Sequence, residues 1–516
     1  MTTPEKIVSA VAGITLRSGD PQVRINSVAY DSREVKKGGL FIALRGEHFD
    51  GHDFIDAAVD AGAAAIVVER DHCCDFSIPI LEADNTRRIL GPVASHFYSH
   101  PSTELCVVGI TGTNGKTSST YLLESIMEAT EKSPGVVGTI EYRWCGRRQK
   151  AANTTPDGLI LQQILRAMVD DGVDVAITEV SSHGLENGRV EGTAFDVALF
   201  TNLTRDHVDF HGSMDAYRRA KWRLFEEYLS FDDSYIEQGP IAVINTQREE
   251  GKRLAAALVQ QRRSAVVSFA IDDEPVDGVE RHFQGQYLEM SLEGIRMAID
   301  ESPGPNYEVF APVSGKYNAE NVLGAVATAR MVGTDIDAVV RGLAETGGIP
   351  GRMERVEGPQ DSPTVFVDYA HSPDALEQVL RTLSDLTQGH LWVLFGCGGD
   401  RDKSKRAIMG QVAVAGADQV LITSDNPRSE DPNEIIDQVV SGVEKYSQNS
   451  SVRATDWRRQ PDRRTAIFDA VLQAGPQDVI LIAGKGHETT QESNGRRRRF
   501  DDRLVAGEAL RRRGEL

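Results

Sequence analysis

Short apolar runs recur along this chain, and each of them ends in a polar, charged or glycine-rich cluster. The runs are rich in valine, isoleucine and leucine and lack the polar alternation of a half-buried strand. Strands of this kind are buried on both faces, as in parallel sheets that are covered by helices. The sequence therefore predicts an α/β protein, with strands within residues 63–69, 106–112, 173–182, 196–203, 364–370, 391–399, 419–426 and 478–486.

The polar clusters all follow the carboxyl ends of these predicted strands. Open parallel sheets bind their ligands beyond the carboxyl ends of the strands. We therefore interpret the clusters as parts of sites and not as incidental loops.

The chain has 516 residues, which is too many for a single ordinary core and corresponds to roughly three domains. A proline precedes a new strand within residues 98–106. Residues 347–356 begin with glycines and a proline, which end a secondary-structure element, and a new element follows them. We expect domains at 1–102, 103–346 and 347–516.

Composition and charge exclude several classes of protein. The net charge of −21 argues against general affinity for nucleic acids, because the phosphate backbone attracts basic surfaces. We interpret the arginine runs at 496–499 and 511–513 as solvated basic edges. No apolar run approaches the roughly 20 residues of a membrane span. Five cysteines without metal-ligand spacing are typical of a reduced cytoplasm. We expect a cytoplasmic monomer that binds small molecules.

The stretch VVGITGTNGKTSST, at 107–120, resembles a phosphate-binding loop with displaced glycines. The usual P-loop spacing would put its first glycine at position 110, where this chain has Ile110. A strand, a flexible loop and a helix still follow one another, so the N–H groups of the helix would face an anion. Lys116 would reach terminal phosphates, and the Thr117 hydroxyl would contact Mg²⁺. A kinase, a GTPase or a ligase could each contain this loop.

A lysine interrupts the apolar face of the helix predicted at 213–229. Tyr217, Ala220, Leu224 and Phe225 recur at helical intervals, and Lys221 lies within their stripe. A lysine facing the core is costly unless it is paired or neutral. Its ammonium could instead extend along the apolar surface to water, and the helix alone leaves both arrangements open.

Two nearby clusters favour a metal site beside this lysine. Glu179 ends one predicted strand, and His207 follows the next. Together with Thr117 they offer oxygen and nitrogen ligands for Mg²⁺. A buried, deprotonated Lys221 could react with CO₂ and join the site as an anionic carbamate, which we state as a hypothesis.

The motifs together resemble the Mur ligase family, whose members use ATP to add amino acids to a muramyl peptide. The displaced glycines of the phosphate loop match that family's own pattern. The similarity spans nearly the whole chain and is carried by DSREVKKGGLFIALRG (31–46), GITGTNGKT (109–117), NTTPDG (153–158), EVSSHGL (179–185), TNLTRDHVDFHG (201–212), AKWRLF (220–225), GKYNAEN (315–321), GRMERV (351–356), DYAHSPDAL (368–376), GCGGDRDKSKR (396–406), DNPRSEDP (425–432) and GKGHE (484–488).

The resemblance implies that the first domain binds a uridine nucleotide sugar, that the second has a P-loop-type parallel sheet with flanking helices, and that the third is Rossmann-like and binds an amino acid. It also implies roles for individual residues. It implies that ATP binds Gly112, Thr113, Asn114, Gly115, Lys116, Thr117, Asn318, Arg352 and Asp368. Magnesium would be held by Thr117, Glu179, His207 and carbamylated Lys221, and the catalytic group would be Lys116, Glu179, His207 and Lys221. Contacts to the UDP-muramyl dipeptide would come from Ser32, Thr154, Thr155, Ser181, Asn187 and Arg189. Asn187 departs from the glutamine expected in close relatives.

Within the family, the motifs are similar to those of ligases that add meso-diaminopimelate to UDP-N-acetylmuramoyl-L-alanyl-D-glutamate. The resemblance assigns this amino acid to Arg401, Asp425, Asn426, Pro427, Arg428, Gly484 and Glu488. Diaminopimelate is lysine with an additional carboxylate on the carbon that carries the side-chain amine, so its far end is a second amino-acid terminus. The Arg428 guanidinium suits that carboxylate, and Glu488 suits that amine.

Three other functions remain as alternatives. A lysine-adding muramyl ligase would leave Arg428 unpaired. A folylpolyglutamate synthase shares the central phosphate loop but would not be expected to carry the motif at 31–46 or DNPR. A catalytically silent nucleotide-binding protein would be expected to lose Lys116, Glu179, His207 or Lys221, and all four are present.

Overall fold

The computed structural model describes residues 1–46, 49–204, 206, 208–229, 235, 239–447, 452–454 and 456–515. Two compact units divide the chain. The first contains residues 1–286, 298–309 and 320–345, and the second contains residues 287–297, 310–319 and 346–516. Among the described residues, no helix combines the length and apolar character that a membrane span requires.

The amino-terminal part of the first unit is a small mixed sheet with helices around it. In the described residues its strand order is β1-β5-β4-β3-β2, and only the β1–β5 pair is antiparallel. The elements are α1 (Pro4–Ala10), β1 (Ile14–Ser18), β2 (Ser27–Ala29), a 3₁₀ turn (Ser32–Glu34), β3 (Gly39–Ile42), a 3₁₀ turn (Gly51–Phe54), α2 (Ile55–Asp60), β4 (Ala65–Glu69), β5 (Ile80–Ala83), α3 (Thr86–Phe97) and a 3₁₀ turn (Pro101–Thr103).

A larger sheet follows, with the order β16-β15-β14-β13-β12-β11-β6-β10-β7-β8-β9 in the described chain. Its elements are β6 (Cys106–Thr111), α4 (Lys116–Glu128), β7 (Pro134–Val137), β8 (Glu141–Trp144), β9 (Arg147–Lys150), α5 (Gly158–Asp170), β10 (Val175–Glu179), α6 (Ser182–Glu186), β11 (Val197–Phe200), α7 (Val208–His211), α8 (Met214–Glu226), β12 (Ile241–Asn245), α9 (Glu249–Gln261), β13 (Ala265–Ile271), β14 (Arg281–Met290), β15 (Ile295–Ser302), β16 (Asn306–Ala311), α10 (Lys316–Met331) and α11 (Ile336–Ala344).

The second unit contains a third sheet, ordered β17-β18-β22-β19-β20-β21 in the described residues, and a separate β23–β24 hairpin. All neighbours in that sheet are parallel except β17 and β18. The elements are β17 (Glu354–Val356), β18 (Thr364–Asp368), α12 (Pro373–Leu386), β19 (Leu391–Phe395), α13 (Lys405–Gly416), β20 (Gln419–Ile422), α14 (Pro432–Ser447), β21 (Asp456–Arg459), α15 (Arg463–Gln473), β22 (Val479–Ala483), β23 (Thr490–Ser493), β24 (Arg496–Arg499) and α16 (Asp502–Gly514).

The sequence prediction of an α/β fold is confirmed, and each of the eight predicted runs contains a strand, namely β4, β6, β10, β11, β18, β19, β20 and β22. Their side chains are almost all buried, as expected for strands covered on both faces. The arginines of β24 are exposed, in agreement with the interpretation of residues 496–499 as a solvated edge.

Parallel pairing in the larger sheet brings several strand ends to one edge. Strands β7, β10, β6, β11 and β12 are neighbours and run in the same direction. Glu179, at the end of β10, lies opposite Ile110 of β6, and Phe200 of β11 lies opposite Thr111. The loops that follow these strands therefore share one edge of the sheet, which is where ligands of such sheets bind.

A fully buried ion pair joins the last two helices of the second unit. Arg463, which opens α15, donates from Nε and Nη2 to the Asp502 carboxylate at 2.8 and 2.7 Å. Both side chains are inaccessible to solvent. Removing one partner of such a pair leaves an uncompensated charge in the core.

We expect Arg463→Met to lower the free energy of unfolding of the second unit by about 3–5 kcal/mol. Denaturant-dependent hydrogen exchange of α15 and α16 measures this loss. The control is Arg464→Met, because its ion pair with Glu508 is half exposed and contributes at most about 1 kcal/mol. Equal losses in the two variants would contradict the assignment.

Candidate active site

The loop between β6 and α4 is braced by the segment that follows β11. Asn202 accepts from Thr113 N at its backbone oxygen (2.9 Å) and from Asn114 N at Oδ1 (3.0 Å). The Thr201 hydroxyl donates to the Asn114 carbonyl at 2.6 Å. The loop is thus held open ahead of α4, whose first N–H groups have no acceptor within the helix. This arrangement suits an anion such as a nucleotide phosphate.

Two glycines allow the loop to approach its neighbours closely. A Cβ on Gly112 would lie 1.9 Å from Thr201 Oγ1, and one on Gly115 would lie 2.2 Å from Asn321 Oδ1. Both glycines also have positive φ angles, 152° and 87°, which side-chain-bearing residues rarely adopt. The unusual glycine spacing therefore follows from packing around the loop.

Two lysine side chains converge on one carbonyl oxygen of this loop. Lys116 Nζ donates to the carbonyls of Gly112 (2.8 Å) and Thr113 (2.9 Å). Lys221 Nζ, from α8, also donates to the Gly112 carbonyl, at 2.8 Å. The lysine of the phosphate loop and the lysine of the apolar helix face thus belong to one site.

Lys221 is enclosed by protein and does not extend to water. It is only 1% exposed, and its Nζ lies 4.6 Å from the centre of the Tyr217 ring. Burial, and then the positive charge of Lys116, hold the pKa of Lys221 well below its ordinary value, while Asp206 acts in the opposite direction. The surroundings of Lys221 therefore favour its neutral amine more than water does.

The Glu179 carboxylate is almost fully buried and is held by neutral donors. Thr117 Oγ1 donates to its Oε2 at 3.0 Å, and Thr139 donates to Oε2 from its hydroxyl at 2.8 Å and to Oε1 from its N–H at 3.1 Å. A buried carboxylate beside a hydroxyl oxygen offers the hard oxygen ligands that Mg²⁺ prefers. The donor set of these residues therefore fits magnesium.

His207, also predicted as a metal ligand, lies outside the described residues. In the part of the chain that the structure describes, no group of three or more histidine, cysteine or acidic side chains is arranged for a metal ion. Glu179 therefore does not belong to such a cluster among the described residues.

The residues predicted to contact the muramyl dipeptide surround the end of β10. Thr155 Oγ1 lies 3.1 Å from Ser181 Oγ and donates to the Glu179 carbonyl at 2.9 Å. Arg189 donates to the Thr155 carbonyl at 3.0 Å, and Thr154 Oγ1 lies 3.0 Å from Thr139 Oγ1. The structure therefore connects this group to the Glu179 carboxylate.

The other two predicted contacts lie on adjoining segments. Asn187 caps the carboxyl end of α6, the helix that begins after Ser181. Ser32 opens a 3₁₀ turn two residues after Tyr30, whose hydroxyl donates to Asp157 at 3.4 Å. Asp157 in turn pairs with Arg189 at 3.2 Å, so the segment of Ser32 is linked to the Arg189 side of the site.

The second unit gathers the remaining predicted nucleotide contacts. Asp368 ends β18 and accepts backbone N–H groups from Met353 and Ala370, both at 2.7 Å. Burial raises the pKa of Asp368, and the charge of Arg352 opposes the rise. The Arg352 guanidinium lies 4.6 Å from the Tyr369 ring centre. Asn318 is fully buried and donates to the Ser314 carbonyl at 2.8 Å.

Two buried polar atoms near Arg352 have no hydrogen-bond partner among the described residues. They are the Tyr317 hydroxyl and Nδ1 of His487. Burial, together with the charge of Arg352, lowers the pKa of His487 to about 4, so the ring is neutral at neutral pH. Unpaired buried polar atoms are costly, and a polar ligand such as a nucleoside would satisfy them.

The residues predicted to bind the amino-acid substrate, in and around the DNPR motif, also lie together in the second unit. A Cβ on Gly398 would lie 3.0 Å from Arg428 Nη1 and 3.8 Å from Arg401 Cγ, so both arginines flank this glycine. Arg428 donates to the Gly399 carbonyl at 2.6 Å. A Cβ on Gly399 would lie 1.8 Å from the Pro427 carbonyl oxygen, which shows how closely the two loops pack.

Glu488 is joined to the same loop through an amide and a buried lysine. Asn426 Nδ2 donates to Glu488 Oε2 at 2.8 Å, and Lys485 Nζ donates to it at 3.0 Å. Burial would raise the pKa of Glu488, but Lys485 and the hydrogen bonds outweigh it, so the pKa lies below its ordinary value. Burial raises the pKa of Asp425, and a Cβ on Gly484 would lie 2.6 Å from the Asp425 carboxylate.

Profiles of known families match three stretches of the chain. They are the Mur ligase family catalytic domain at 24–98, the Mur ligase middle domain at 110–329 and the Mur ligase glutamate ligase domain at 351–486. The UDP-N-acetylmuramoyl-L-alanyl-D-glutamate–2,6-diaminopimelate ligase of Halalkalibacterium halodurans is 40% identical over 501 residues, which cover 96% of each chain. This chain belongs to the Mur ligase family.

Solved structures agree with membership of the Mur ligase family. A structure of a UDP-N-acetylmuramoyl-L-alanyl-D-glutamate–2,6-diaminopimelate ligase has a TM-score of 0.70 and 31% identity, with 100% of both chains covered. The Mycobacterium tuberculosis folylpolyglutamate synthase, solved with ADP and AMPPCP, has a TM-score of 0.58 and 20% identity. The match covers 77% of this chain and 92% of the synthase chain. At 20% identity it shows that the two proteins share a fold and nothing more.

Several residues of this Mur ligase site were missed by sequence reasoning. Asn202, Asn321, Thr139 and Lys485 each contact a predicted site residue. Asn202 and Asn321 stand inside motifs that carry the family resemblance, so a closer comparison of those motifs could have found them. Thr139 stands outside these motifs, and only the pairing of β7 with β10 places it beside Glu179.

We expect Gly112→Ala to weaken ADP binding by at least about tenfold, because the new methyl group would displace the loop from Thr201. Isothermal titration of the full chain with ADP and Mg²⁺ measures this. Gly146→Ala is the control, because Gly146 also has a positive φ (77°) but has no atom near the added Cβ. Unchanged ADP affinity in Gly112→Ala would contradict the proposed role of the loop.

Proposed function

We infer that this Mur ligase is an ATP-dependent amide ligase that adds meso-diaminopimelate to UDP-N-acetylmuramoyl-L-alanyl-D-glutamate, a step of peptidoglycan precursor synthesis. Relatives with this printed activity cover nearly the whole chain. The observation that carries the choice of amino acid is the grouping of Arg428, Arg401 and Glu488 around Gly398 and Asn426.

The chemistry explains why the loop between β6 and α4 needs positive charge and hydrogen-bond donors. A carboxylate does not form an amide with an amine at neutral pH, so the γ-phosphoryl group of ATP is first transferred to it, which gives an acyl phosphate and ADP. The neutral amine then attacks the acyl carbon, and its nitrogen loses a proton. Phosphate leaves from the tetrahedral intermediate, which gives the amide. Reactants and transition states are negative, so donors aimed at the phosphate stabilise them.

Individual residues supply these donors. Lys116 exchanges its carbonyl partners for phosphate oxygens, and the N–H groups at the start of α4 bind the same anion. Thr117, Glu179, His207 and a carbamate on Lys221 would hold magnesium, which when bound supplies charge stabilisation and a template for oxygen ligands. Arg189 and the hydroxyls of Thr154, Thr155 and Ser181 orient the muramyl dipeptide.

Several finer points belong to the same proposal. We propose the domain boundaries at 102 and 346, and a monomer as the working form. The substrates, ATP and a uridine nucleotide, are cytoplasmic metabolites, which supports a cytoplasmic enzyme. The net charge of −21 argues against nucleic acid as a partner.

A phosphate-release assay with different acceptors tests the function. With ATP, Mg²⁺ and the UDP-muramyl dipeptide, we expect release with meso-diaminopimelate and little with lysine or glutamate. Efficient use of lysine would favour the lysine-adding alternative, and release with a folate acceptor would favour a folylpolyglutamate synthase.

Carbamylation of Lys221 can be tested directly. Carbamates form from neutral amines, and the lowered pKa of Lys221 raises the share of that form at any given pH. We expect a ¹³C-carbamate signal from protein equilibrated with ¹³CO₂, retained above the folded-state pKa of Lys221 and lost below it. Lys221→Ala should lose this signal and at least about 100-fold of the activity, with partial recovery in short-chain carboxylic acids.

The control for that experiment is Lys252→Ala, because Lys252 is exposed and pairs with Asp273 on the surface. It should keep both the ¹³C signal and the activity. A plain amine at Lys221 under saturating bicarbonate, or full activity of Lys221→Ala without added acids, would refute the carbamate.

Arg428 provides the test of amino-acid choice. We expect Arg428→Ala to lower kcat/KM for diaminopimelate by at least about 100-fold with little change in the KM for ATP, because one carboxylate loses its guanidinium partner. Arg497→Ala serves as the control, because Arg497 is an exposed arginine of the β23–β24 hairpin. An unchanged kcat/KM for diaminopimelate in Arg428→Ala would refute the assignment.

A further inference from the structure

Thr139 connects the Glu179 carboxylate to one of the hydroxyls proposed to contact the muramyl dipeptide. It follows β7, which pairs in parallel with β10 and so places Thr139 beside the end of β10. Its N–H and its hydroxyl bind the two oxygens of Glu179, at 3.1 and 2.8 Å. Its hydroxyl oxygen also lies 3.0 Å from Thr154 Oγ1.

The direction of this hydrogen-bond chain follows from counting protons. An ionised carboxylate only accepts, and a hydroxyl group has a single proton to donate. Thr139 uses that proton for Glu179, since two oxygens 2.8 Å apart at a buried anion would otherwise repel each other. Thr154 must therefore donate its own proton to Thr139 across the 3.0 Å contact.

We propose that Thr139 is a positioning residue that fixes the Thr154 hydroxyl as a hydrogen-bond acceptor, so that Thr154 binds a peptide N–H of the muramyl dipeptide and not one of its carboxylates. This inference rests on the proposed function. The lone pairs that Thr154 keeps attract an N–H donor and repel an anion.

The hydroxyls of Thr155 and Ser181 likewise donate their protons to acceptors within the protein. Thr155 donates to the Glu179 carbonyl (2.9 Å) and accepts from Ser181 N (2.9 Å), so Ser181 donates to Thr155 across their 3.1 Å contact. The Ser181 oxygen also accepts from Gly184 N at 3.0 Å. Thr154 and Ser181 thus form an acceptor surface that suits a peptide backbone. The reacting carboxylate is then left for the cationic groups, Arg189 and Lys116.

Ester analogues of the substrate test this polarity. In each analogue one peptide N–H of the UDP-muramyl dipeptide, at the lactyl–alanine or the alanine–glutamate bond, is replaced by oxygen. Binding to the full chain is measured by isothermal titration without ATP or Mg²⁺. We expect one of the two analogues to bind the wild-type protein about tenfold more weakly than the amide.

The variants separate positioning from structural support. In Thr154→Val the amide and that ester should bind alike, because the acceptor is gone. In Thr139→Val the Thr154 proton is released and can be donated to the ester oxygen, so the preference for the amide should shrink, whereas Thr139→Ser should retain it. Thr15→Val, which removes an exposed hydroxyl that donates to Glu82, should leave the preference unchanged.

The possible results have distinct meanings. Equal binding of the amide and both esters by the wild-type protein, or a preference that persists in Thr154→Val, would overturn this inference and leave the proposed function intact. A protein that binds none of the three nucleotides would overturn the proposed function and this inference with it. A loss of affinity in Thr139→Val that is the same for amide and ester would show a structural role only.

Discussion

The convergence of Lys116 and Lys221 on the Gly112 carbonyl is the interaction on which the site of the first unit depends. Both amines lie 2.8 Å from the same oxygen, and one of them is fully enclosed by protein. Two positive charges cannot share such a position without cost, so the buried amine is driven towards its neutral form. The same burial that makes Lys221 a poor cation makes it a good nucleophile for CO₂.

The fold supplies this geometry through parallel pairing. The loops after β7, β10, β6 and β11 must meet at one edge because their strands are neighbours with a common direction. That edge collects a carboxylate, a phosphate-binding loop and several threonine hydroxyls within hydrogen-bond distance of one another. The hydrogen bonds of Thr117 and Thr139 to Glu179, and of Thr201 to Asn114, hold these side chains in place before any substrate binds.

The sequence predicted the strands and the place of Lys221 within the apolar stripe of its helix because both leave local patterns, whereas the helix alone left open whether the amine is buried or extends to water. A continuous apolar run identifies β10 without knowledge of its neighbours, and helical spacing places Lys221 beside Tyr217 and Phe225. Thr139 could not be found in this way, because its role depends on β7 lying next to β10, and strand order is not encoded in a local pattern. Lys485 was missed for a different reason: its position within GKGHE suggests a loop, and its complete burial depends on packing against β23.

The proposed amino-acid site in the second unit would achieve selectivity through groups that are costly to leave unpaired. Arg428 has a positive φ of 53°, and its backbone is fixed by hydrogen bonds to Glu492 and Asn494 of the β23–β24 hairpin. Among the described residues its guanidinium donates to the Gly399 carbonyl, and a guanidinium has five N–H donors, so others would be available for a ligand carboxylate. Glu488 is held by Asn426 and Lys485 and remains ionised, which suits an ammonium group. Lysine could offer its amine to Glu488 but would leave Arg428 without a carboxylate, because its side chain lacks the second carboxylate of diaminopimelate. Rejection of lysine would then require no steric barrier, because leaving the half-buried Arg428 guanidinium without a carboxylate weakens binding.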